Sequence, residues 1–105
     1  MERKTSEIDE TSMAEVAAAF ASLKSAEDVR HFLAELCTPS ECRDIALRWH
    51  LMKQLLAGTP QRAIARDLGL SLCKITRGSK YMKDESSIFR RLVLRCLRKG
   101  ASQDH

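Results

Sequence analysis

Apolar residues recur along this chain with helical period. Val16, Phe20 and Leu23 fall at helical spacing in the Ala-rich stretch from Met13 to Leu23, and Val29, Phe32, Leu33 and Leu36 follow the i, i+3, i+4, i+7 pattern of an amphipathic helix that Ser25 to Asp28 can open. From Thr38 to Ala57 the apolar Ile45, Leu47, Trp49, Leu51, Met52, Leu55 and Leu56 surround more of the circumference than one stripe would, which predicts burial on two sides. Ile64 and Leu68 share the face of a shorter helix, with the small Ala65 beside them, and Ile75 points inward from the next. Ile88, Phe89, Leu92, Val93, Cys96 and Leu97 form the apolar side of a last helix, with Arg90, Arg91, Arg95 and Arg98 outward. No run of alternating β-branched residues offers a strand. The pattern predicts an all-α fold of six helices.

Helix punctuation agrees with the periodicity. Thr38-Pro39-Ser40-Glu41 is a capping box, in which Thr38 caps, Pro39 occupies the first helical position and Glu41 reaches back to the Thr38 amide. Thr59 and Pro60 offer a second cap and first position, and Gly69 supplies a residue that tolerates positive φ where that helix must end. Ser71 can cap the helix that follows, and Ser86 or Ser87 the last one. Two short helices joined at Gly69, with Leu72, Cys73, Lys74 and Thr76 outward at the start of the second, have the form of a helix-turn-helix over about residues 60–83. Such hairpins also occur in structural bundles.

Charge separates the two uses. Residues 61–99 carry eleven Lys or Arg against three acidic side chains, a net of +8, whereas residues 1–60 carry seven against ten, a net of −3. The whole-chain +4 conceals this polarity, which puts positive charge at the reading helix, as phosphate neutralisation requires. The domain is expected over residues 12–99, with a flexible arm at 1–11 and a flexible tail at 100–105. No stretch approaches the roughly 18 apolar residues of a membrane span, and the polar start is unlike a signal peptide, so no membrane contact and a cytoplasmic location are expected. Cys37, Cys42, Cys73 and Cys96 lack a CxxC pair and nearby histidines at zinc spacing. They read as small apolar residues, Cys73 being the one expected at the surface, and no metal is expected. No Ser/His/Asp or paired-carboxylate grouping suggests an enzyme.

The run Thr38-Pro39-Ser40-Glu41, then Leu55-Leu56-Ala57-Gly58, Gln61-Arg62, Leu68-Gly69 and Ile75-Thr76-Arg77-Gly78-Ser79, closing on Lys83, resembles the tryptophan repressor family in identity and spacing. The likeness is close from about Leu36 to Lys83 and looser at both ends. It implies a six-helix intertwined homodimer that binds palindromic operator DNA when loaded with L-tryptophan and controls tryptophan biosynthesis or salvage genes. Two-sided burial of the Thr38 to Ala57 helix and the short reach of one recognition helix point to a dimer as well.

Carried over, the resemblance places the corepressor's indole ring between Arg48 and Arg77, with Arg77 also on the ligand carboxylate. A planar guanidinium against an aromatic face is a sensible clamp. Thr38 would lie near the amino-acid head group, and the backbone carbonyls of Glu35 and Cys37 from the other subunit would accept its ammonium. Gly78 would leave room for the ring; a glycine inside a helix costs about 1 kcal/mol relative to alanine, so something should approach it closely. On that reading Gly78→Ala folds at least as well as the parent but loses the ligand. For DNA, Arg62 matches an arginine that reaches a guanine edge, and Leu72, Cys73, Lys74 and Thr76 match recognition-helix positions.

Three departures from the family pattern stand out. The Gly58-Thr59-Pro60-Gln61 loop is one residue shorter, Ala65 replaces a basic DNA-contacting residue for which Arg66 or Lys74 could compensate, and Tyr81 stands where a small hydroxyl residue lines the ligand pocket. Two other readings compete. One is a regulator of the same fold that binds DNA without tryptophan, against which Arg48, Arg77 and Gly78 argue. The other is a helical protein-interaction adaptor, against which the polarised charge argues.

Overall fold

A computed structural model of the chain describes the backbone of residues 2–103, and the side chains in that span apart from residues 2–6, 72–74, 77 and 101–103. Six helices follow one another: α1 (Glu2–Ser22), α2 (Ala26–Leu36), α3 (Pro39–Leu56), α4 (Gln61–Leu68), α5 (Leu72–Met82) and α6 (Ile88–Gln103). No strand occurs among the described residues. The all-α, six-helix expectation holds, and the chain divides after Cys42 into two compact units.

In the first unit, α1 begins at Glu2, where the apolar spacing suggested an arm over residues 1–11 and a helix from Met13. Residues 2–12 contain neither Pro nor Gly to interrupt a helix. Residues 7–13, whose side chains are described, are exposed, Ile8 at 58% and Met13 at 67%, and so present no buried stripe that a periodicity could reveal. Ser25, in extended conformation, accepts the Asp28 amide at 3.1 Å and so starts α2 at Ala26, three residues before its apolar stripe. Phe20 and Phe32 join α1 to α2, their rings 4.9 Å apart and tilted by 50°.

The α2–α3 corner is set by local hydrogen bonds. The Cys37 amide donates to the Leu33 carbonyl at 2.9 Å and closes α2. Beyond it the capping box is complete: the Thr38 amide donates to Glu41 Oε1 at 2.8 Å, and the Glu41 amide donates to Thr38 Oγ1 at 3.1 Å. The Thr38 amide, and after it the Thr38 side chain, hold the Glu41 carboxyl below its ordinary range.

The second unit contains the buried core. Leu51, Met52 and Leu55 of α3, Ile64 of α4, Ile75 of α5 and Val93 of α6 are each at most 6% exposed; Leu51, Leu55, Ile64 and Ile75 form one cluster, and Ala65, Leu68, Leu70 and Met82 pack against it. Burial of side chains of this size is worth about 1.5–3 kcal/mol each, so this cluster is what holds the helix-turn-helix to α3. Gly69 ends α4 in the left-handed region at φ 65° and lets the Leu70 amide return to the Ala65 carbonyl at 3.1 Å.

Local partners decide several assignments here, some of them against expectation. Pro60, not Thr59, is the N-cap of α4, because the Thr59 hydroxyl is committed to Gln54 Oε1 at 2.9 Å and its amide to the Gln54 carbonyl at 3.0 Å. Ser87 caps α6, accepting the Arg90 amide at 3.1 Å, while Ser86 donates through its amide and hydroxyl to Asp84 Oδ1. Those two bonds, the hydroxyl's first, pull the Asp84 carboxyl below its usual range. Arg90 does not point outward: its Nε donates to the Met82 carbonyl at 2.8 Å and satisfies the C-terminal end of α5. On the same helix Cys96 is exposed rather than buried, and Ile88 is 62% exposed. The tail expected from residue 100 is helical as far as Gln103, and residues 104–105 lie outside the described residues.

Candidate ligand cavity and nucleic-acid interface

One face of α3 brings its ligand candidates together. Asp44, Leu47, Arg48 and Leu51 are spaced by three and four residues and therefore project from the same side of the helix. Facing them are Leu70 from the helix-turn-helix, Gly78 and Tyr81 from α5 and Phe89 from α6, and the eight enclose a cavity of about 450 Å³. That volume falls within the range of small-molecule sites, roughly 300–1,000 Å³. Arg48 and Gly78, 30 positions apart in the sequence, thus line one space, with Tyr81 beside them.

The cavity combines apolar walls with two opposite charges. Neither Asp44 nor Arg48 makes an ion pair or side-chain hydrogen bond with a described residue, so both are available to a ligand. Tyr81 is 42% exposed, and its ring stands 6.5 Å from that of Phe89, which in turn lies 6.1 Å from Trp49. The lining therefore sets one carboxylate and one guanidinium beside apolar walls, a combination suited to a small molecule with polar and apolar parts.

The close approach expected at Gly78 exists, and its partner is protein. A Cβ built on Gly78 would meet Leu51 Cδ2 at 3.3 Å and Leu55 Cδ1 at 3.5 Å. Glycine is therefore needed first for α5 to lie tightly against α3, and only secondarily as open space beside a ring. The expectation that Gly78→Ala folds at least as well meets an opposing term: the helix-propensity gain is set against a tight contact with the side-chain end of a buried leucine.

The side chain of Arg77, the second arginine of the expected clamp, lies outside the described residues, as do those of Leu72, Cys73 and Lys74. Thr38, Glu35 and Cys37 belong to the first unit. Thr38 is engaged in the capping box, Glu35 borders a shallow surface groove, and Cys37 is half-buried at the corner. Asp44, Leu47, Leu51, Leu70 and Phe89 were not anticipated. Stepping four residues back and three forward from Arg48 along α3 would have found Asp44 and Leu51, and Leu47 lies four before Leu51; Leu70 and Phe89 arrive through packing that no local signal announces.

The helix-turn-helix presents its candidates to solvent. Arg62 in the first turn of α4 is exposed, as is Thr76 on α5. Arg66 is exposed as well and stands 3.5 Å from the equally exposed Asp67, a surface pair of small energetic weight. Lys80, Lys83, Arg91, Arg95, Arg98 and Lys99 continue the basic surface on α5, α6 and the turn between them.

A protein-family model described as "Trp repressor protein" matches residues 11–97. The chain belongs to the Trp repressor family. This is a family of regulators rather than enzymes, all-α and built on a helix-turn-helix. A "Trp operon repressor homolog" of Chlamydia trachomatis serovar D is 40% identical over 70 residues, 62% of this chain and 74% of the relative. Another, from serovar L2, is 35% identical over 80 residues, 71% of this chain and 85% of the relative. The homolog from Vibrio campbellii is 34% identical over 70 residues, 66% and 70% of the respective chains. No solved structure gives a comparable match. Among the described residues, no helix is long and apolar enough to cross a membrane, and no group of three or more His, Cys, Asp or Glu could hold a metal.

Proposed function

We propose that this Trp repressor family member is a tryptophan-dependent transcriptional repressor, a cytoplasmic homodimer that takes L-tryptophan as corepressor and then binds palindromic operator DNA, controlling tryptophan biosynthesis or salvage genes. The observation that carries the reading is the cavity behind α5. Its wall includes Gly78 and Tyr81, which belong to α5, the helix whose N-terminal residues Leu72, Cys73, Lys74 and Thr76 this reading assigns to DNA. A ligand seated there bears directly on the position of the reading helix.

In this reading Arg48 and Arg77 sandwich the indole ring, Arg77 also pairs with the carboxylate, and Tyr81 closes one side. Thr38 and the carbonyls of Glu35 and Cys37, from the other subunit, take the amino-acid head group. Asp44 adds a carboxylate that favours a zwitterion over an anionic indole acid. Arg62 reads a base edge, while Arg66, Lys74 and the α6 arginines neutralise phosphates. Dimerisation is supported by apolar side chains left in solvent: Leu36 is 50% exposed, Ile45 42%, Ile88 62% and Leu92 40%. Coupling follows from linkage, because a ligand that binds the DNA-competent arrangement more tightly must raise DNA affinity.

Calorimetric titration of L-tryptophan into the protein tests the site. One ligand per chain is expected, with affinity reduced at least tenfold by Arg48→Ala. A second reading, a DNA-binding regulator that works without tryptophan, is favoured by the contact of Gly78 with Leu51 and Leu55, which accounts for the glycine without any ligand. Absence of binding heat, with operator-like DNA still bound, would select that reading.

A further inference from the structure

The α2–α3 corner holds a pair of thiols in positions that ordinarily hold an apolar clasp. With Thr38 as N-cap and Pro39 opening α3, Cys37 precedes the cap by one residue and Cys42 is the fourth residue of the helix. These are the two positions of the hydrophobic staple, whose side chains pack on one another across the start of a helix. Both thiols are free and half-buried. They also converge on a single acceptor: the Leu33 carbonyl takes the Cys37 amide at 2.9 Å and the Cys42 thiol at 3.7 Å. The corner between them is braced by the reciprocal Thr38–Glu41 bonds and by the Cys42 amide on the Thr38 carbonyl at 2.9 Å.

We propose that Cys37 and Cys42 form a dithiol site that a low-molecular-weight disulfide closes into an intrachain Cys37–Cys42 disulfide. In the first step a cysteine thiolate attacks the small disulfide, whose S–S bond breaks to release one small thiolate that takes up a proton. The second cysteine then gives up its proton and attacks the mixed disulfide; the Cys37–Cys42 bond forms, and the second small thiol leaves. The protein loses two electrons and two protons, and the small disulfide gains both. Partial burial, together with the neighbouring Cys42 and Glu41, pushes the Cys37 thiol above its ordinary value, which lowers its thiolate fraction and slows its part in the exchange. Closure would lock the corner bearing Thr38 and the Cys37 carbonyl. That consequence for tryptophan binding rests on the proposed function, whereas formation of the bond does not.

The test incubates the full chain with glutathione disulfide and follows free thiols and intact mass. The peptide spanning Cys37 and Cys42 should lose both its thiols and about 2 Da through a cross-link between them, with no glutathione retained on it, whatever the exposed Cys96 takes up. Cys37→Ser and Cys42→Ser should each abolish the cross-link and retain one glutathione on the remaining partner. Cys96→Ser should leave it unchanged. Peptide mapping of the unsubstituted chain keeps the result clear of any folding defect in the variants. Glutathione retained on both Cys37 and Cys42 without a cross-link, or oxidation confined to Cys73 or Cys96, would overturn the proposal. A cross-link that forms in a protein with no tryptophan affinity would overturn the ligand reading alone.

Discussion

Replacing Gly78 by alanine sets two structural terms against each other. Alanine in the interior of α5 is favoured by about 1 kcal/mol over glycine. Against this, the new Cβ would lie 3.3 Å from Leu51 Cδ2, inside the ordinary contact distance of roughly 3.5–4.0 Å between carbon atoms, so Leu51 must give way by a few tenths of an ångström. Leu51 also lines the cavity and can yield in that direction, which places the cost at the low end of the ~1–3 kcal/mol typical of overpacking. The two terms nearly cancel, and the variant should unfold within about 1 kcal/mol of the parent, a few degrees at most in melting temperature. The ligand has no such compensation. Both the added methyl and the displaced leucine take space from the cavity, and an overpacking cost of about 1–3 kcal/mol corresponds to tryptophan affinity weakened roughly 5- to 150-fold. Thermal unfolding and calorimetric titration of the same samples separate the effects. Adding Leu51→Val should recover part of the affinity, and the pair should depart from additivity because the two side chains touch. Unchanged tryptophan affinity in a variant of parental stability would refute the placement of the ligand between α3 and α5. A destabilisation well beyond 3 kcal/mol would refute the claim that Leu51 can yield.

Thr38→Ala should cost about 1 kcal/mol in urea unfolding at neutral pH through loss of the cap. Because the Thr38 amide, which Thr38→Ala leaves in place, holds the Glu41 carboxyl below its ordinary value of 4.5, the capping contribution of Glu41 is present above that pH and is lost as pH falls through the lowered value; Glu41→Gln should lose stability less steeply in that acidic window, and an equally steep decline would contradict the capping role. Arg62→Ala should weaken specific DNA binding by roughly 1–3 kcal/mol while sparing random DNA, and an equal loss on both would make Arg62 a phosphate contact. Sedimentation at micromolar concentration should give a dimer. A folded monomer there would leave the exposed Leu36, Ile45, Ile88 and Leu92 without the cover that the functional reading assigns them.

Much of the fold was legible because short-range rules decided it. Thr38 and Glu41 are three residues apart and bond as a capping box requires; Gly69 takes the left-handed conformation its place in the turn demands; Ile64 and Ile75 point into the core because helical period leaves them no other face. Residues 2–11, expected as an arm, are helical, and a related reason hid this: their described side chains, 7–11, are exposed and leave no period to read. Thr59 and Arg90 failed because partners decided them. Gln54 takes the Thr59 hydroxyl, and the open end of α5 takes the Arg90 guanidinium. The site was legible in part. Arg48, Gly78 and Tyr81 do line one cavity, whereas Asp44 was passed over although it lies one turn from Arg48 on the same face. Gly78 shows how one residue can answer two demands: its place in the motif suggested a ligand, and the packing of α5 on α3 supplied Leu51 and Leu55.

The most direct test of the central claim is the mutual dependence of tryptophan and DNA. A palindromic DNA site selected from a randomised pool in the presence of L-tryptophan would be titrated with protein at zero and at saturating ligand, and L-tryptophan would be titrated into free and DNA-bound protein. The account predicts that tryptophan raises DNA affinity and that DNA raises tryptophan affinity by the same factor, within about 5- to 150-fold for a coupling of 1–3 kcal/mol. Equal DNA affinity with and without tryptophan would contradict it.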